Sequence, residues 1–175
     1  MMAIAEMHKL AGEMDEAVEA YLKAADLDPS MHRAFRELAH IHREAGDVRR
    51  ARMAALELTR LQPHDPEALL LAGEVCAESE DWDRCVALLE RYLGHCPRDA
   101  DARSMKARAH LKLGELSDAR SEYTQAYAVD TGNAEVRVGL VNTINGQAAA
   151  KFEKGEVDLA ERLLREAYAI DQESI

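Results

Sequence analysis

The feature that most limits what this chain can fold into is an internal period of 34 residues. Pro29, Pro63 and Pro97 stand one period apart, as do Gly12 and Gly46, with Gly114 two periods further on. Ala17, Ala51, Cys85 and Ala119 share the step. So do Tyr21, Ala55, Leu89 and Tyr123, and the set Ala24, Leu58, Tyr92 and Ala126. Self-similarity at a fixed period of this length marks an architecture of stacked repeats. Within each period an apolar stretch at helical spacing is followed by a short turn, a second such stretch and a proline. The glycines suit the end of a helix, where φ > 0 is needed. The prolines open a connection that the preceding helix cannot run through. Small residues such as Ala17 and Ala119 mark places where two helix backbones approach closely. Each unit therefore reads as a helical hairpin that cannot bury its apolar face alone and has to stack on its neighbours.

Composition agrees with helices. The 175 residues include 31 Ala and 20 Leu, against 18 Val, Ile and Thr together. Alanine and leucine favour helices, whereas β-branched residues favour strands. At 47% hydrophobic residues the chain is not disordered by composition. A net charge of −11 argues against nucleic acid as a partner. No apolar run approaches the ~20 residues that span a bilayer, so no membrane insertion is expected. The start, Met1-Met2-Ala3-Ile4-Ala5-Glu6, lacks the pattern of a secretory signal. Three cysteines fit no disulfide framework. The expected setting is cytoplasmic, or periplasmic had a signal been removed.

The repeat positions resemble those of the tetratricopeptide repeat (TPR) family. The second repeat matches through Phe35, Leu38, Ala39, Gly46, Ala51, Leu58 and Pro63. The third matches through Leu69, Ala72, Gly73, Trp82, Cys85 and Pro97, with Glu80 in place of the turn glycine. The fourth gives Ala107, Gly114, Ala119, Tyr123 and Ala126, with Thr131 where proline is expected. The resemblance covers essentially the whole chain. It implies an all-α fold, a right-handed superhelix of five hairpins forming a single domain over 1–175, with repeats 1–31, 32–65, 66–99, 100–133 and 134–175.

The pattern predicts ten helices: 1–11, 15–27, 32–45, 48–61, 66–78, 82–94, 100–113, 116–129, 134–154 and 157–171. In the fifth repeat the turn glycine, Gly155, follows Gly114 by 41 residues, seven more than the period. Seven residues are about two helical turns, so the first helix can lengthen in register. Alternatively, Asn142-Thr143-Ile144-Asn145-Gly146 breaks it in two. The last helix carries an apolar face, Leu159, Leu163, Leu164, Ala167 and Ile170, with no further helix to cover it. An uncovered end implies self-association, a bound partner or a chain cut from a longer protein. Both ends look truncated, which favours the last.

Catalytic signatures are absent: no Gly-Lys-Ser/Thr phosphate loop, no G-x-G-x-x-G, no H-E-x-x-H and no G-x-S-x-G. Neither enzymatic activity nor a cofactor is expected. His32, His40 and His42, or Cys76, Cys85, His95 and Cys96, offer metal-ligand chemistry, but no tight spacing gathers them. Cys76 and Cys85 fall where a compact apolar residue is usual, and Trp82 follows a turn at a core position.

The resemblance places the binding groove along the first helices. Carried over, its positions are Arg33, Arg36, His40 and Arg43 in the second repeat and Glu67, Leu70, Glu74 and Glu78 in the third. The fourth adds Ser104, Arg108 and Lys112, and the fifth Val138 and Asn142. The spacing 33, 36, 40, 43 puts four basic-capable side chains on one stripe beside an acidic one. By repeat, the charge runs −5, +2, −5, 0 and −3. The basic strip could receive a carboxylate-bearing segment, or it could pair with the acidic stripe across neighbouring helices. Relatives that clamp a terminal carboxylate use Lys and Asn where Arg36, His40 and Leu71 stand here, which disfavours that partner. The resemblance implies a non-enzymatic scaffold that holds a peptide or helix of a partner protein. Alternatives are an interaction arm of a larger enzyme, such as a transferase, and a scaffold that self-associates through its C-terminal helix.

Overall fold

A computed structural model describes residues 1–172. Ten helices follow one another and no strand occurs among those residues: α1 (Met2–Ala11), α2 (Met14–Leu27), α3 (His32–Glu44), α4 (Val48–Leu61), α5 (Pro66–Glu78), α6 (Trp82–His95), α7 (Ala100–Leu113), α8 (Leu116–Val129), α9 (Ala134–Glu153) and α10 (Val157–Gln172). Each expected helix is present, with its ends moved by a single residue at most. α9 is one helix of 20 residues that runs unbroken through Asn142–Gly146. Its buried residues Val136, Leu140, Ile144 and Ala148 recur every four positions, so the two added turns keep one face inward.

The chain divides into two compact units, one spanning Met1–Asp81 and the other beginning at Trp82. The boundary falls inside the third repeat, between its two helices. In the first unit α1 packs on α2 and α3 on α4, and α2 and α4 each pack on the first helix that follows. The second unit repeats the scheme, with α7 on α8, α9 on α10, and α6 and α8 against the helices after them.

The hairpin turns are built alike. The amide N–H of Glu13, Asp47, Asp81, Glu115 and Glu156 donates to the carbonyl five residues back, at His8, His42, Cys76, His110 and Lys151 respectively, over 2.8–3.0 Å. This bond closes a helix end through one left-handed residue. Gly12, Gly46, Gly114 and Gly155 supply it at φ of 74–80°, and Glu80 supplies it at φ 58° in the third repeat. A side chain in that conformation costs roughly 1 kcal/mol relative to glycine. Glu80 is exposed, so Glu80→Gly is expected to stabilise the protein by about 1 kcal/mol. An unchanged or lower urea midpoint would contradict that.

Candidate partner-binding face

The groove residues expected in the first unit lie on α3 and α5, and the structure brings them together as ion pairs. Arg36 donates from Nη2 to Asp65 at 2.6 Å and from Nη1 to Glu67 at 2.7 Å. Arg43 reaches Glu74 at 2.5 Å and Glu78 at 2.7 Å. Arg33 pairs back to Glu6 on α1 at 2.8 Å. The basic strip is therefore engaged by the acidic stripe and by α1, the second of the two arrangements open to it. Arginine forks that span two carboxylates fix the spacing of neighbouring first helices. With the arginine side chains about a third exposed, each pair contributes on the order of 0.2–1 kcal/mol.

Between these two clusters His40 is exposed and Leu70 half-buried. Together with Arg36, Glu67, Leu71 and Glu74 they line a hollow of about 290 Å³. The remaining expected groove residues belong to the second unit. Arg108 pairs with Glu135 at 3.2 Å, and Lys112, Val138 and Asn142 are exposed. Ser104 is 4% exposed, so it belongs to the interior and not to a binding surface. Its side chain is too short to reach solvent from a repeat position where Arg36 and Leu70 do.

The opposite side of each unit carries grooves between consecutive second helices, floored by the first helix between them. In the first unit this groove, about 540 Å³, is lined mainly by Val18, Leu22, Phe35, Leu38, Met53 and Ala54. Its repeat counterpart in the second unit, about 350 Å³, replaces Leu38 with Lys106 and Ala54 with Glu122. Lys106 is 6% exposed. Its ammonium donates to Glu122 at 2.8 Å and to Glu90, and Arg103 donates to Glu122 at 3.1 Å. Burial works against the charged ammonium, but Glu122 and Glu90 outweigh it and hold the Lys106 pKa above its ordinary value. The repeat signature does not contain this cluster. Its signal was a pair of departures, Arg103 and Lys106 one period after Leu69 and Ala72.

Histidines recur at one repeat position, His8, His42 and His110. His8 Nδ1 meets Glu13 at 2.6 Å and His110 Nδ1 meets Glu115 at 2.7 Å, with Lys151 and Glu156 in the same place at 2.9 Å. His110, Glu115 and Asp118 place ligand atoms within 4.8 Å of one another. The recurrence of the same pair in other turns marks it as a clamp between the helices of a hairpin. At His42 the carboxylate is one methylene shorter, and Asp47 instead caps α4 by accepting from the Arg50 amide at 3.0 Å.

Burial pushes the His42 pKa below its ordinary 6.5, with Arg50 adding to the shift and Asp47 opposing it. The unfolded chain then binds the proton first. Stability from neutral His42 is complete above pH 6.5 and is lost as pH falls through the lower folded value. His42→Cys, the residue of the next repeat, is expected to flatten the fall in urea midpoint between about pH 7.5 and pH 5. An unchanged slope would assign the acid sensitivity elsewhere.

Helical hairpins stacked through small residues and closed by left-handed turns define a class of repeat scaffold. The chain belongs to the tetratricopeptide repeat family. Residues 1–31 match the family model described as tetratricopeptide repeat, and residues 46–126 match that of anaphase-promoting complex, cyclosome, subunit 3. Tetratricopeptide repeat protein 37 of Xenopus laevis is 41% identical over 122 residues, covering 66% of this chain. Superkiller complex protein 3 of Mus musculus is 31% identical over 118 residues, again 66% of this chain. The chain spans 8% of the length of each of these two relatives. Among solved structures, YrrB, described as a TPR protein with an unusual peptide-binding site, superposes with a TM-score of 0.74 at 20% identity, over 97% of this chain and 84% of its own. A MamA structure gives 0.71 at 18% identity, over 98% and 94%. At these identities the likeness concerns the fold.

Proposed function

We propose that this protein-interaction scaffold is non-enzymatic and captures a segment of a partner protein on the first-helix face of its first unit. The observation that carries the reading is the hollow around His40 and Leu70, flanked by the Arg36 and Arg43 ion pairs. Those arginines are already neutralised, so a bare carboxylate gains little there. An apolar side chain set against Leu70, with a hydrogen bond to His40, suits the hollow better. The mixed-charge rim would then set orientation more than affinity. The peptide-binding site in the description of YrrB supports a peptide as the partner class. The odd number of cysteines supports a reducing, cytoplasmic setting.

The test uses peptides selected from a displayed random library on the immobilised protein. Leu70→Glu is expected to weaken their binding by about tenfold or more, whereas Val138→Glu, on the second unit, leaves it unchanged. Equal affinity for wild type, Leu70→Glu and His40→Glu in calorimetry would overturn the proposal.

A further inference from the structure

The groove between α2 and α4 is apolar where the fold does not require it. Leu22 on α2 and Met53 on α4 stand on its two walls, 48% and 72% exposed, above a floor of Phe35 and Leu38. Two periods on, the same positions read Glu90, Ser121, Arg103 and Lys106, and a groove forms there too. The hairpins therefore stack whether these positions are apolar or charged. α2, α3 and α4 each have another helix of the chain before and after them.

α4 also departs from the other second helices at its start. The first turns of α2, α6, α8 and α10 carry acids: Asp15 and Glu16, Asp83, Asp118 and Asp158. Acids suit the positive end of a helix. The first turn of α4 has none, and Arg49 and Arg50 take their place. Arg50 lines the groove. Its side chain is 70% exposed, and its ion pair to Asp47 is long, at 3.5 Å. Asp47 is already engaged in capping α4. At the other end of the groove Glu57 is held by Arg60 at 2.5 Å. The excess charge of the groove is thus positive and sits beside the start of α4.

We propose that this groove binds an amphipathic helix of a partner protein. Two apolar side chains of that helix, one turn apart, lie over Phe35 and Leu38, and a carboxylate beyond them faces Arg49 and Arg50. The walls are helices whose backbone groups are bonded within themselves, so an extended segment would find no strand edge to pair with. A helical guest satisfies its own backbone. The lining on α4 runs from Arg50 to Glu57, roughly 10 Å or two helical turns.

The test selects a displayed random peptide library on the Leu70→Glu protein, which takes the face around His40 out of the experiment and keeps the two sites apart. The recovered peptides are expected to combine apolar residues at helical spacing with Asp or Glu, and to become helical on binding. Met53→Glu, at an exposed site, is expected to weaken them about tenfold or more. Arg49→Asp with Arg50→Glu should weaken them as well while raising the urea midpoint, because acids suit that helix end. Arginines kept for stability would instead lower the midpoint when reversed and leave binding alone. Peptides that bind Met53→Glu as tightly as the parent, or that lack acids and ignore the arginine reversal, would overturn the proposal. So would growth in size with concentration in sedimentation that Met53→Glu abolishes, because a second copy would then fill the groove.

Discussion

Glu122→Ala is expected to lower the stability of the protein by about 3 kcal/mol, a loss read as a lower urea midpoint at constant slope. Glu122 is 12% exposed and accepts from both Lys106 and Arg103, which are 8% and 14% exposed at their side chains. Removing the carboxylate leaves two cations in a poorly solvated place, and Glu90, 68% exposed, compensates only one of them. Transplanting the first unit's solution should reverse the loss. Arg103→Phe, Lys106→Leu and Glu122→Ala together recreate Phe35, Leu38 and Ala54 at the same repeat positions. The triple variant is expected to be at least as stable as wild type, because apolar packing commonly equals or exceeds a buried ion pair. A triple variant as unstable as Glu122→Ala alone would show that the polar cluster does more than fill space.

Gly139→Ala is expected to cost about 2 kcal/mol through overpacking. A Cβ there would lie 2.4 Å from two ring carbons of Tyr123 and 2.7 Å from its hydroxyl. Tyr123 is 3% exposed, so the ring cannot swing into solvent. Tyr123→Leu, the residue one period earlier, removes the clash. The double variant should therefore recover much of the loss, which a double-mutant cycle measures as coupling. Strict additivity would place the strain elsewhere.

The helices were legible because period, turn glycines and closing prolines mark the same boundaries independently. Glu80 did not disturb the third repeat, since the five-residue backbone bond from Asp81 to Cys76 forms with or without glycine. The binding face was legible only as a stripe. Which carboxylate Arg36 reaches depends on the distance between α3 and α5, and no spacing along one helix contains that distance. Ser104 was placed on the face by position, yet it is buried. Lys106 was legible as a lone charge at a position where Ile4, Leu38, Ala72 and Leu140 stand in the other repeats. What no spacing revealed is that Glu122, sixteen residues on, turns back to meet it.

The long helix α9 has a consequence for how such a chain can change length. The Leu116 carbonyl, at the start of α8, accepts from Gln147, and α9 continues to Glu153 beyond that level. The hairpin tip is thus carried roughly 10 Å past its neighbour, and Phe152 and Val157 near it stand exposed. Seven residues return the helix nearly to its starting phase, whereas five would rotate everything after them by about 140°. Length in this architecture is accordingly gained in near-whole turns. Each such step leaves the interior unchanged and creates new surface only at the tip.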